Sequence, residues 1–414
     1  MRTTVQKYGG TSVADVPAMR RVADWVAHSH HEGNPTVVVV SARGGETDQL
    51  LRLAGEVNPD RPPREVDQLL ATGECAAAAL LAMAVRRLGV PAHSLSGPRA
   101  GILASGRHGA GVIAAVDTTE IRHRLADGDV VVVAGFQGLN AAGDVITLGR
   151  GGSDTTAVAL AAELSAARCE IYTDVPGVLT ADPRVVPNAR VLPGVDPNVM
   201  AEMAFAGARV LHSRAVELAA MERVEVHVRS SFMPGAGTVI SGRAVEEMLE
   251  TRNSIVAVAH DLDVARVLVR TATSGRDPAP EVLAVLAAHT VPVDLVARSG
   301  PQEDEFRIGF TIRRSDVDEV LTPLREAVAP LDGRVRVDAH VGKVSVIGMG
   351  LLNRPECTAR MLAALATAGI PTSWVSISQL RTSAIVPRDR VVEAVSLLHE
   401  TFGLAGAVPS MATV

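Results

Sequence analysis

The chain has 414 residues, 47% of them hydrophobic and 21% charged, a balance that excludes a disordered or fibrous polymer in a chain too long for one ordinary core. Its formal net charge of −6 gives no global attraction for nucleic acid or an anionic membrane, and no uninterrupted apolar run reaches the ~18 residues of a membrane-spanning helix. Three cysteines far apart (Cys75, Cys169, Cys357) supply neither a disulfide framework nor a metal cage, and the N-terminus lacks the basic start and apolar stretch of a secretion signal. The expectation is a soluble, cytoplasmic α/β protein of about two to four domains.

Residues 1–240 alternate strand-like and helix-like segments. Runs at 36–40, 129–134 and 170–173 read as buried strands, and 13–29, 65–88 and 154–167 as helices. This alternation predicts a mainly parallel sheet covered on both faces, a three-layer αβα sandwich, with ligands outside the carboxyl ends of the strands. Near residue 255 the rhythm changes. A strand at 265–271, a helix at 280–289, strands at 292–297 and 305–312, a helix at 316–328 and a strand at 334–341 spell βαββαβ, the ferredoxin-like arrangement. The order recurs about 78 residues later, at 343–349, 355–368, 372–378, 382–386 and 388–402, an offset that suits two small duplicated domains. The second copy lacks a clear last strand, for which the tail 406–411 is the candidate; 241–253 reads as the linker.

Three clusters carry chemistry. Lys7-Tyr8-Gly9-Gly10-Thr11-Ser12 places a glycine pair between a strand and a helix, where bare backbone N–H groups and a helix N-terminus suit phosphate, although such turns are also common in ordinary folds. Lys7 is one of only two lysines in a chain that otherwise uses arginine, and a compact ammonium approaches a phosphoryl group as a guanidinium does not. The other, Lys343, opens a strand-like run and asks for no special role. Thr147-Leu148-Gly149-Arg150-Gly151-Gly152-Ser153-Asp154-Thr155-Thr156 surrounds an arginine with glycines before a helix; Ser153 or Asp154 could serve as a plain cap, but the extra glycines favour a second anion-binding loop. Tyr172-Thr173-Asp174-Val175-Pro176-Gly177 ends a strand in polar residues and a turn. No P-loop, strand–GxGxxG, HExxH, paired-cysteine or GxSxG pattern occurs in the right context.

Taken together with Ser41-Ala42-Arg43-Gly44-Gly45-Glu46-Thr47-Asp48, Gly73-Glu74, Gly135-Phe136-Gln137-Gly138, Gly207-Ala208-Arg209-Val210-Leu211-His212 and Val228-Arg229-Ser230-Ser231-Phe232, these clusters resemble the aspartate kinases of the amino-acid kinase family over essentially the whole chain. The resemblance implies the amino-acid kinase fold over 1–245, a first ACT regulatory domain over 255–341 and a second over 342–414, whose tail pairs back with the first. It further implies phosphoryl transfer from ATP, with Mg²⁺, to the side-chain carboxylate of L-aspartate, the step leading toward lysine-, threonine- and methionine-type products. Lys7, Asp154 and Arg150 would be catalytic. Ser41, Thr47, Glu74, Phe136, Arg150 and Ser153 would hold the substrate, with Glu74 on its ammonium. Lys7, Gly9, Gly10, Thr173, Asp174, Leu179, Arg184 and Arg209 would hold the nucleotide, and Asp154 would face the Mg²⁺ shell. An amino-acid effector would meet Asp277, Asp294, Asn353, Arg354, Ile377 and Ser378. A homodimer or larger homo-oligomer is expected, without nucleic-acid or membrane partners.

The chain departs from the family pattern in places. Leu179 stands where tyrosine is usual, and Arg209 where lysine is. Arg43 and Glu46 are unusual beside the aspartate pocket, where added charge would shift substrate choice. Gly275-Arg276-Asp277-Pro278 and Asn353-Arg354-Pro355-Glu356 lack the glycine that opens each ACT helix and bring acids to where an effector carboxylate would dock. The expectation is weakened feedback by lysine and threonine. The other readings are a kinase for a different acidic amino acid in a specialised pathway and a non-catalytic amino-acid sensor; the retained Lys7, Glu74, Arg150 and Asp154 speak against the sensor.

Overall fold

The computed structural model describes residues 3–208, 210–242, 255–272, 277–302 and 305–405. The chain divides into two compact units, one of Met1–Leu179, Val191–Phe205 and Arg209–Glu250, the other of Thr180–Arg190, Ala206–Ala208 and Thr251–Val414.

The first unit runs β1 (Thr4–Tyr8), α1 (Val16–His31), β2 (Thr36–Val40), α2 (Glu46–Val57), α3 (Pro63–Arg87), β3 (Ala92–Leu95), β4 (Ile102–Arg107), β5 (Ala110–Val116), α4 (Thr119–Ala126), β6 (Val130–Ala134), β7 (Gln137–Leu139), β8 (Val145–Thr147), α5 (Gly152–Glu163) and β9 (Arg168–Thr173). It continues with β10 (Gly194–Val195), α6 (Pro197–Phe205), α7 (Ser213–Glu222), β11 (Val226–Ser230) and β12 (Thr238–Ile240). Among the described residues an eight-stranded sheet has the order β10-β12-β11-β9-β1-β2-β6-β3, and its pairings are parallel except β11 with β12. The all-valine and β-branched strands β2 and β6 are buried throughout, as expected of strands covered on both faces.

On one face, Met19, Val22 and Val26 of α1 and Ala77, Leu81 and Val85 of α3 pack with Val38, Val40, Val130 and Val132. α3 is long and apolar enough by composition to cross a membrane, yet half of its apolar window is buried and it serves this core. On the other face lies α5, whose residues 152–161 are all buried. The helix read at 13–29 starts later: Gly10–Val13 is a 3₁₀ turn, and the Asp15 carboxylate accepts the Ala18 N–H (2.8 Å), fixing the start of α1. A second sheet, β5-β4-β7-β8, was not evident in the sequence, because its strands are short and half exposed.

The second unit contains β13 (Ile255–Asp261), β14 (Ala265–Ala272), α8 (Ala279–Ala288), β15 (Asp294–Gln302), β16 (Glu305–Ile312), α9 (Val317–Val328), β17 (Arg334–Asp338), β18 (Val341–Gly348), α10 (Pro355–Thr367), β19 (Val375–Ile377), β20 (Arg381–Pro387) and α11 (Val391–Thr401). The first βαββαβ copy forms the sheet β15-β16-β14-β17, and the second forms β13-β18-β20-β19. Here the expectation needs correcting. The place that β17 holds beside β14 is taken in the second sheet by β13, which precedes the first copy and pairs antiparallel with β18. A strand's worth of apolar residues (Ile255, Ala257, Val258) was available there to fill that edge. The tail 406–414 and most of the linker lie outside the described residues. Thr180–Arg190 also belongs to this unit: Ala181 and Val186 join Val258, Met361 and Leu398 in its core, and Val258 N–H donates to the Thr180 carbonyl (2.8 Å).

Candidate active site

Parallel pairing decides where the chemistry sits. Lys7 in β1 lies opposite Val39 of β2 and Ile171 of β9, so these strands finish level. Their ladder continues into the loops: Ser41 N–H donates to the Tyr8 carbonyl (3.2 Å), Gly135 N–H to Val40 (3.0 Å) and Gly9 N–H to Tyr172 (3.4 Å). The strand order reverses at β1, with β2, β6 and β3 to one side and β9 and β11 to the other, the position where open α/β sheets form a ligand crevice.

Alternation along β1 sends neighbouring side chains to opposite faces. Tyr8 stacks on Tyr172 (centroids 4.6 Å apart) in the α1 core, so Lys7 points toward α5, where its Nζ lies 2.6 Å from Asp154 Oδ1. Both side chains are 12% exposed. The contact is a close, largely buried ion pair. Asp154 sits in the first turn of α5, where the helix dipole favours an anion.

The glycines divide into two kinds. A Cβ on Gly10 would come within 2.7 Å of the Ala42 carbonyl, so the fold itself demands glycine. One on Gly9 would meet Lys7 Nζ at 3.5 Å, an ordinary contact, so the bare backbone there leaves the ammonium open instead. Gly149 and Gly151 hold left-handed backbones (φ 70° and 71°), and a Cβ on Gly151 would collide with the His212 ring. Close packing ties β6 to α5: a Cβ on Gly135 would meet Ser153 Oγ at 2.8 Å, and one on Gly152 would meet the Phe136 ring at 2.9 Å. Phe136 itself has φ 68°, a strained conformation for an aromatic residue.

Glu74, on α3, is 3% exposed. Its Oε1 accepts the Ala42 N–H (3.1 Å), while Oε2 has no hydrogen-bond partner among the described residues. Burial pushes its carboxyl up from 4.5 to about 7, against the pull of the Ala42 N–H. A buried acid with one open oxygen suits an incoming ammonium. Arg43 and Glu46 do not add charge as expected. Arg43 Nε and Nη2 reach Glu46 Oε2 and Oε1 (3.2 and 3.1 Å), a bidentate pair that cancels.

Contacts thus link Lys7, Gly9, Gly10, Glu74, Phe136, Ser153 and Asp154 around the strand ends, with Ser41 at the tip of β2. Thr47 is half-buried in the first turn of α2. Arg150 is exposed between its glycines and makes no ion pair among the described residues. Thr173 Oγ1 donates to the exposed Asp174 (3.2 Å), and half-buried Leu179 bridges to Val191. Arg184, in the second unit, is clamped on Asp182 (2.7 Å), and Arg209 lies outside the described residues. Among the described residues no group of three or more His, Cys, Asp or Glu could hold a metal ion.

Of the effector candidates, Asp294 is engaged on both oxygens. It accepts from Lys343 Nζ (2.8 Å) and from Arg381 Nη1 and Nη2 (both 3.0 Å), and these contacts hold its carboxyl down at about 2 despite burial. Lys343, which asked for no role in the sequence, is 4% exposed and half of this buried pairing. Asp277 pairs with Arg298 and caps Ala279 N–H, so its charge is neutralised rather than presented to a ligand. Asn353 and Ile377 are exposed, Arg354 is half-buried, and Ser378 Oγ accepts the Arg381 N–H (3.0 Å).

Sequence reasoning missed three groups around the glycine loop: Asp67, His108 and Arg214. An acid inside an apolar helix such as α3 was the available signal, and one sequence cannot tell it from a surface residue.

The amino acid kinase family model matches residues 2–230 and an ACT domain model residues 344–402. The aspartokinase of Mycolicibacterium smegmatis is 44% identical over 410 residues, covering 98% of this chain and 97% of its own. That of Thermus thermophilus is 40% identical over 406 residues (98% and 99%). Among solved structures, Escherichia coli aspartokinase III in complex with aspartate and ADP aligns with a TM-score of 0.82 at 27% identity (96% of this chain, 99% of that one). The same enzyme with lysine and aspartate aligns at 0.70 and 26% (97% and 99%).

Proposed function

From the premise that the chain belongs to the aspartokinases of the amino acid kinase family, we infer how its site works. The activity is ATP-dependent phosphorylation of the side-chain carboxylate of L-aspartate to 4-phospho-L-aspartate. A carboxylate oxygen forms a bond to the γ-phosphorus as the bond to the β–γ bridging oxygen breaks, and ADP departs. No proton need be removed, since the nucleophile is already ionised. The obstacle is repulsion between two anions, so the residues act by positioning and neutralising charge.

In our assignment, Lys7 places its ammonium on the transferring phosphoryl group, and Gly9 and Gly10 donate backbone N–H groups to phosphate. Asp154 aims Lys7. Glu74 takes the substrate ammonium on its open Oε2, Arg150 binds a substrate carboxylate, and Ser41, Thr47, Phe136 and Ser153 line that side. Thr173, Asp174, Leu179 and Arg209 serve the nucleotide. Mg²⁺ supplies charge neutralisation when bound with ATP, and Asp154 is the residue that would face it. The Lys7–Asp154 pair at the level of Gly9 and Gly10 carries this reading. Incubation with MgATP and hydroxylamine tests it: aspartate-dependent hydroxamate should form, and its absence would reject the assignment. Because Arg43 and Glu46 neutralise each other, the added charge that would shift substrate choice away from aspartate is missing, and a panel of acidic acceptors checks this.

Feedback by lysine and threonine is weak in this reading, now for a different reason than first expected. The Asp294 carboxylate, the effector candidate best placed to take an ammonium, is already saturated by Lys343 and Arg381. We also place the enzyme in the cytoplasm, as a homo-oligomer that pairs through the outer strands β15 and β19, where Val296, Val375 and Ile377 are exposed.

A further inference from the structure

The glycine loop 148–152 carries Arg150, and its first residue, Leu148, is buried against Ala104 and Ile146. A buried carboxylate and a half-buried guanidinium from outside the loop add polar anchors. Asp67, on α3 and 1% exposed, accepts from Thr147 N–H on Oδ2 (3.0 Å) and from Thr147 Oγ1 on Oδ1 (2.6 Å). The same carboxylate accepts the Gly109 N–H on both oxygens (3.1 Å each) and contacts His108 Nδ1 at 2.8 Å, so it also anchors the tip of the β4–β5 hairpin. From the opposite side, Arg214 in the first turn of α7 donates to the Leu148 carbonyl (2.7 Å) and to the Gly111 carbonyl (3.0 Å). The hairpin tip and loop are close: a Cβ on Gly149 would lie 3.0 Å from the Gly109 carbonyl, and one on Gly111 would lie 2.9 Å from the Thr147 carbonyl.

We propose that Asp67 and Arg214 are positioning residues for the phosphoryl acceptor, clamping the hairpin 102–116 onto the loop 148–152 so that Arg150 is held where the substrate carboxylate binds. This rests on the assignment of Arg150 above. The physical case is that a loop with two left-handed glycines has many backbone states, and a carboxylate saturated by four groups selects one of them. Neither residue touches the strand ends that carry Lys7, Gly9 and Gly10, so nucleotide binding should be indifferent to both.

The test is steady-state kinetics on Asp67→Asn, Thr147→Val and Thr147→Ser in the full chain. Losing a charged hydrogen bond at the clamp should raise the KM for aspartate roughly tenfold or more in Asp67→Asn, and by a smaller factor in Thr147→Val, while the KM for ATP changes less than about twofold. Thr147→Ser keeps the hydroxyl and should restore the wild-type KM. Amide hydrogen exchange should quicken in 147–152 and at the hairpin tip without a general rise, which a loss of global stability would cause instead. An unchanged KM for aspartate in Thr147→Val, or equal rises for both substrates, overturns the clamp even if Asp67→Asn fails to fold. Absence of aspartate turnover in the wild type would instead reject the acceptor assignment, and unchanged exchange in 147–152 of Thr147→Val would still overturn the clamp.

Discussion

At the scale of single residues, the account turns on charges withheld from water. Glu74 illustrates the sign. Its carboxyl titrates near 7 in the folded chain against 4.5 ordinarily, so between those values the native state holds a proton that the unfolded state has lost. Stability therefore falls as pH rises from 4.5 to 7, by on the order of 3 kcal/mol, and is flat above. Substrate ammonium requires the ionised form, so affinity for aspartate should rise with pH through 7. Glu74→Gln should melt higher than the wild type at pH 8 but lose at least tenfold in KM for aspartate, with the pH dependence of KM flattened. A steep pH dependence surviving in that variant would contradict the role. Lys7 and the glycines were legible in the sequence because their chemistry is local. Asp67, Arg214 and the Asp294–Lys343–Arg381 cluster were not, since each joins residues 41 to 103 positions apart and only the fold brings them together.

At the scale of elements, the alternating first half was readable because buried parallel strands leave unbroken β-branched runs such as Thr36–Val40. The second βαββαβ copy misled at its last strand, because a sheet edge accepts any strand of suitable pattern, whatever its place in the chain. β13 fills it from before the first copy, and its Val258 is 1% exposed. Val258→Asp should therefore destabilise the second sheet by about 3 kcal/mol or more, through an unpaired charge in its core. Thermal unfolding checks this, and a shift within about 2 °C would mean β13 is dispensable. Asp294→Asn should likewise cost about 3 kcal/mol, since it leaves Lys343 buried without its anion.

At the scale of the whole molecule, one unit carries the proposed phosphoryl-transfer site and the other two four-stranded sheets, the second of them largely within the ACT-domain match. Initial rates with millimolar lysine plus threonine should fall by less than about half if the saturated Asp294 is closed to effectors; near-complete inhibition would reject weak feedback. That outcome would leave the catalytic account untouched, because the latter depends on one cation. The most direct measurement is kcat of Lys7→Arg with saturating MgATP and aspartate. The account predicts a loss of about 10²-fold or more in a protein that melts like the wild type, since a guanidinium keeps the charge but cannot occupy the ammonium's place between Asp154 and the transferring phosphoryl group. A folded variant within a few-fold of the wild-type rate would contradict it.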